Sequence, residues 1–172
     1  MQTIIIPGYS HKNKEWAKEV AKNIPDSEIY EWSHWKNESI KFNTKSEAEN
    51  LKNLVSLSTE RGENTINIIA KSIGSLVSVI ALKQFKDKLN KIIFCGIPVQ
   101  DISEDEKWEY KVLSDLDPAK IIVYQNSEDF HGTFEEVRKF LSQINPNIKI
   151  VEKPGSTHDY PYYEEMKEFL KN

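Results

Sequence analysis

Cysteine occurs once, at position 95, in a chain of 172 residues. A single thiol excludes an intramolecular disulfide and any cysteine-based metal cage. Arginine is nearly as scarce: Arg61 and Arg138 are the only two among 23 basic residues, so the planar forks that suit heavily phosphorylated ligands are few. Basic residues do not outnumber acidic ones either. A balance of 23 against 27 leaves a net charge of -4 and a pI near 5.7, with no footprint for a nucleic-acid backbone. A long uncharged apolar run is also missing: the most apolar stretch, Ile73 to Leu82, is too short to cross a bilayer, and mean hydropathy is -0.59, which predicts no membrane partner. Glycine and proline, at 6 and 7 residues, are too few for a collagen-like or low-complexity chain. Met1-Gln2-Thr3 leads straight into Ile4-Ile5-Ile6 with neither a basic n-region nor a small-residue cleavage site, so the expected location is cytoplasmic.

What is present is a globular composition, 38% hydrophobic and 29% charged, sized for one domain over residues 1–172. Apolar, β-branched runs alternate with longer amphipathic ones. Strands are predicted at Thr3–Ile6, Ser27–Tyr30, Thr65–Ala70, Lys91–Cys95, Lys120–Tyr124 and Asn147–Val151. Helices are predicted at Lys12–Asn23, Lys45–Thr59, Ile73–Phe85, Glu104–Leu113, Thr133–Ile144 and Tyr162–Leu170. Trp16, Ala17, Val20 and Ala21 share one stripe at helical spacing. Ile66–Ala70 and Ile92–Cys95 are almost continuously apolar, as strands buried on both faces require. Strict βα alternation predicts an α/β fold: a three-layer α/β/α sandwich around a mostly parallel sheet of about six strands.

The chemistry concentrates at Ala70-Lys71-Ser72-Ile73-Gly74. A buried strand ends here and an apolar helix begins directly after Ser72. A serine in so tight a turn needs small neighbours two residues away on either side, which Ala70 and Gly74 supply. This is the nucleophile-elbow pattern, which lifts Oγ above the carboxyl edge of a sheet. The Ile73 amide and the positive helix end would then face an oxyanion. The plainer reading is that Ser72 only caps the helix.

A nucleophilic serine needs a base, and the base an orienting carboxylate. In an open α/β sheet both should follow later strands at the same edge. The fifth strand is followed by Asn126-Ser127-Glu128-Asp129, the sixth by Gly155-Ser156-Thr157-His158. Asp129 is preferred as the acid on turn spacing, with Glu128 as the alternative; the plainer role for Asp129 is to cap the helix near Thr133. His131, so near Asp129 in sequence, reads as an exposed loop residue. His11 and His34 lack partners at ligand spacing, so no metal is expected, and Cys95 reads as a core residue. Trp32 and Trp35 lie just past the second strand, either as core packing or as an aromatic substrate wall. The acidic cluster Asp101, Glu104, Asp105 and Glu106 reads as a solvated helix start, with Trp108 and Tyr110 as a possible pocket edge.

With these residues in view, the chain resembles the α/β-hydrolase superfamily in a small, lidless form. The order Ser72, Asp129, His158 matches that family's nucleophile–acid–histidine order. Pro7-Gly8-Tyr9-Ser10 is similar to its oxyanion loop, which implies a second donor at the Tyr9 amide beside that of Ile73, with Gly8 and Ser10 bordering the substrate. The departures are Pro7 for histidine, Ala70 for glycine, Asn126 for the glycine usual in the acid turn, and one extra residue before His158. The resemblance implies a shortened form, without the strands that precede the oxyanion-loop strand in larger members. The resemblance implies a serine hydrolase that cleaves a small ester or thioester through an acyl-enzyme, without a cofactor. Two rivals stand beside it: a relative that has lost activity and serves as a protein-interaction or ligand-binding module, and a phosphate site on the helix N-terminus. No G-x-G-x-x-G or P-loop follows any strand to support the last.

Overall fold

The computed structural model describes residues Met1–Lys171. Six strands form one parallel sheet in the order β2-β1-β3-β4-β5-β6. They are β1 (Gln2–Ile6), β2 (Ser27–Ile29), β3 (Ile66–Lys71), β4 (Leu89–Cys95), β5 (Ile121–Asn126) and β6 (Lys149–Lys153). Among the described residues seven α-helices accompany them: α1 (Asn13–Asn23), α2 (Ser33–Lys36), α3 (Thr44–Glu60), α4 (Ile73–Leu82), α5 (Glu104–Glu109), α6 (Phe134–Ser142) and α7 (Tyr163–Lys171).

Strand side chains alternate between two faces, and here both faces are apolar. Ile4, Ile6, Ile68, Ala70, Ile92, Phe94 and Val123 pack under α3, α4 and α6, whereas Ile5, Ile69, Ile93, Ile122 and Tyr124 pack under α1 and α7. That is the expected three-layer sandwich. It also explains the nearly continuous hydrophobic runs: a strand covered on both sides has no solvent face to mark with polar residues.

The helix predicted over Glu104–Leu113 divides into α5 and a 3-10 segment, Tyr110–Asp115. Tyr110 is thereby fully buried, its hydroxyl 2.6 Å from Ser75 Oγ, so it is a core residue rather than a pocket edge. The short helix α2 falls where the sequence suggested only a connection.

All strands run the same way, so the loops that follow them gather at one edge. From β1 the chain goes outward to β2 and then returns past β1 to β3. The switch point thus lies between β1 and β3, where open α/β sheets leave a crevice beyond their carboxyl ends. Pro7–Ser10 and Ser72 border that crevice. Gly74 lets them approach: a Cβ there would stand 2.5 Å from the Ile6 carbonyl oxygen and 2.8 Å from that of Pro7. Only a glycine allows the first turn of α4 to press on the β1 loop. Among the described residues no helix is long and apolar enough to cross a membrane.

Candidate functional site

Ser72 joins β3 to α4 with φ +55° and ψ -129°. A non-glycine residue in this region stores about 1–3 kcal/mol of backbone strain. The turn is held by the Ser72 amide donating to the Cys95 carbonyl at 3.0 Å and by Ser75 Oγ donating to the Ser72 carbonyl at 2.6 Å. The Ser72 side chain makes no capping bond, whereas Asn43, Ser103 and Thr133 each cap their helices. The capping reading of Ser72 therefore finds no support in the geometry. The half-buried hydroxyl stands free at the switch point.

His158 Nδ1 lies 2.6 Å from Asp129 Oδ2. A carboxylate can only accept, so Nδ1 carries the proton and Nε2 presents a lone pair. Nε2 is buried and has no hydrogen-bond partner among the described residues. Ser72 Oγ and His158 Nε2 are thus not bonded to each other in this geometry; such contacts tighten when substrate binds. The Ser72 amide bonds to the Cys95 carbonyl, and the His158 ring packs on the next residue, Gly96. At Gly96, φ is +67° and a Cβ would stand 2.8 Å from His158 Cε1 and 2.5 Å from Tyr160 Cε2. Gly96→Ala should therefore displace the imidazole and lower stability by about 1–3 kcal/mol. A melting curve and an activity assay on one preparation check this; a variant with wild-type values in both would contradict the close packing.

Asp129 is fully buried, whereas Glu128 is exposed, so the carboxylate set against His158 is that of Asp129. Helix α6 is capped by Thr133, not by Asp129. Besides His158, Asp129 accepts from the Tyr160 hydroxyl on Oδ2 and from the His131 amide at 2.9 Å on Oδ1. Burial is the largest single influence and acts to raise its pKa; the His158, Tyr160 and His131 bonds together outweigh it and hold the carboxyl below the usual range. Burial and the Asp129 carboxylate push the Tyr160 hydroxyl upward, which keeps it a donor. Tyr160 was not foreseen from the sequence. Only its place two residues after His158 hints at it.

Trp32 is fully buried and Trp35 nearly so, which corrects the substrate-wall reading: neither ring has a face to offer a ligand. Their indole N–H groups do something else. Trp32 Nε1 donates to the Gly8 carbonyl at 3.0 Å, and Trp35 Nε1 to the Tyr9 carbonyl at 2.9 Å, with His34 Nε2 3.0 Å from the same oxygen. Both carbonyls are thereby turned toward the β2 side. Trans peptides point the following amides, those of Tyr9 and Ser10, the opposite way. The strand order places β3 and Ser72 on that opposite side. The Ile73 amide, at the first position of α4, has no intrahelical acceptor.

Trp108 is 64% exposed on α5, with the Lys111 ammonium over its ring, and it does not line the groove that holds His158. The pocket-edge reading is corrected for it too. His131 is a further correction: it is half-buried, paired with Asp101, and its ring centroid lies 4.4 Å from that of His158. The Cys95 thiol is buried in the core, and burial raises its pKa. No group of three or more His, Cys, Asp or Glu side chains among the described residues is arranged to hold a metal ion.

No protein-family model matches the chain, and no curated protein sequence is similar to it. Solved structures are. An α/β serine hydrolase homologue from Coxiella burnetii superposes with a TM-score of 0.77 at 17% identity, covering 100% of this chain and 84% of that one. XC6422 from Xanthomonas campestris, described as an α/β serine hydrolase without a lid, gives 0.70 at 16% identity over 91% of this chain and 72% of that one. Est1E from Butyrivibrio proteoclasticus, solved with ferulic acid, gives 0.69 at 15% identity over 99% and 90%. The chain therefore has the α/β-hydrolase fold, in a minimal form.

Proposed function

We propose that the protein is a serine hydrolase of small, soluble esters or thioesters, with Ser72 as nucleophile, His158 as general base and acid, and Asp129 as the orienting carboxylate. The observation that carries this reading is the Asp129–His158 pair at 2.6 Å, whose outer nitrogen Nε2 is buried and unpartnered among the described residues, with its imidazole packed on Gly96 and the preceding Cys95 carbonyl holding the amide of a strained, uncapped Ser72. A buried nitrogen left without a partner costs free energy, as does a serine at positive φ. Both costs have a use if the pair activates Ser72. The similar folds of two α/β serine hydrolase-type proteins, and of Est1E with ferulic acid bound, support the reaction class.

In the proposed cycle Ser72 Oγ attacks the substrate carbonyl while His158 Nε2 takes its proton. Asp129 keeps the imidazole in the required tautomer and stabilises the cation that forms. The amides of Ile73 and Tyr9 hold the oxyanion, the second aimed there by the Trp32 bond to the Gly8 carbonyl; loss of one such donor costs about 2.7–4 kcal/mol in other hydrolases. His158 returns the proton to the leaving group as the tetrahedral intermediate collapses. Water, activated by the same base, then releases the acid and restores Ser72.

The test is a rapid-mixing experiment with a short-chain ester of a chromogenic phenol. The expected result is a burst of phenol equal to the enzyme concentration, followed by slower steady release, as an acyl-enzyme requires. Folded protein that releases phenol no faster than buffer would overturn the reading.

A further inference from the structure

Lys71 is a buried cation that the reaction above does not use. It precedes Ser72 at the end of β3, and strand alternation sends its side chain to the α1 and α7 face, beside Trp16. The residue is 4% exposed. Its ammonium has three donors but makes one hydrogen bond, to Asn13 Oδ1 at 2.7 Å, and faces Asp159 Oδ1 at 4.0 Å. The Asp159 side chain is 82% exposed, so this carboxylate approaches from solvent without closing on the cation.

Lys71 lies in the wall of an open groove that runs from Ser10, on the β1 loop, past Asn13 and Trp16 to His158. The groove thus borders both the loop assigned to the oxyanion and the base that protonates the leaving group. Two acidic residues on its rim, Glu15 and Glu19, are paired with Lys18 and Lys22, so they do not cancel the cation at its floor. Asp159 marks where a carboxylate fits, and its looseness makes it displaceable.

Resting on the hydrolase reading, we propose that Lys71 binds a carboxylate on the leaving-group side of the substrate, so that the protein acts on esters of hydroxy acids, with the Asp159 carboxylate as the internal competitor for that position. A carboxylate brought to a partly dehydrated ammonium exchanges little water for a charge-assisted bond. Burial, the largest influence on Lys71, lowers its pKa, and the Asp159 carboxylate opposes that shift. A bound carboxylate acts in the same sense as Asp159, so the substrate favours the charged form that binds it.

The experiment compares the acetate esters of 3-hydroxypropanoate and 4-hydroxybutanoate with the primary amides of the same compounds, following acetate release. The amides match in size and lack the charge. Wild type is expected to prefer the acids at least about 10-fold in kcat/KM, and Lys71→Met to bring that ratio close to one. Asp159→Asn, at an exposed position, is expected to lower KM for the acids several-fold by removing the internal competitor. Equal turnover of acids and amides by wild type, or a ratio untouched by both substitutions, overturns the proposal and leaves hydrolysis standing. Turnover of none of these compounds overturns it as well, and the chromogenic ester then reports whether hydrolysis itself has failed.

Discussion

Ser72→Ala is expected to lower kcat for ester hydrolysis about 10⁶-fold, the scale seen when one member of a cooperating triad is removed. Melting should hardly change. Nothing in the structure depends on the hydroxyl: it caps no helix, and the bonds that hold the turn use the Ser72 amide and carbonyl. Ser72→Gly should be equally inactive but melt higher than the alanine variant, because glycine relieves the positive φ of 55° that alanine must still adopt. An assay and a thermal melt on the three proteins separate nucleophile from cap. Loss of activity with unchanged melting supports the nucleophile; a melting loss with retained activity would restore the capping reading.

Asp129→Asn is expected to cost about 10⁴-fold in kcat, by the logic that governs other Ser–His–Asp sites. The asparagine amide can donate to His158 Nδ1, which drives the proton to Nε2 and leaves Ser72 without a base. Stability should fall as well, since the carboxylate accepts from His158, Tyr160 and the His131 amide. The pH dependence has a definite sign. Because the folded pKa lies below the ordinary aspartate value of 3.8, the stabilisation is fully present above that value and is lost as pH falls through the folded pKa. The stability gap between wild type and Asp129→Asn should therefore narrow on acidification below about pH 4. Denaturant titrations at several pH values check it; a gap that widens toward low pH would mean that Asp129 is not held as the anion.

Much of this was legible in the residues, for physical reasons that differ from place to place. Strands such as Ile66–Lys71 announce themselves because burial on both faces leaves no polar alternation. Ser72, Asp129 and His158 could be picked out as candidates because each follows a strand, and parallel strands send every following loop to one edge. The short helix α2 carries no period long enough to read. Its consequence, two indoles that orient the β1 loop across separations of 24 and 26 residues, is tertiary and invisible to local pattern. The contact of His131 with His158 was missed for a related reason: sequence proximity to Asp129 argued against a shared site, yet the tight turn bonds the His131 amide to Asp129 while its ring lies against His158. Gly96 shows the same limit. Its need for no side chain comes from Tyr160 and His158, which lie far along the chain.

The central claim, that Ser72 is an activated nucleophile, is tested most directly by fluorophosphonate labelling read by intact mass, on wild type and Ser72→Ala side by side. The account predicts one adduct on the wild-type chain and none on the variant. Folded wild type that takes up no probe, or a variant labelled as fully as wild type, would contradict it and move the weight to a binding module that keeps the fold without the chemistry.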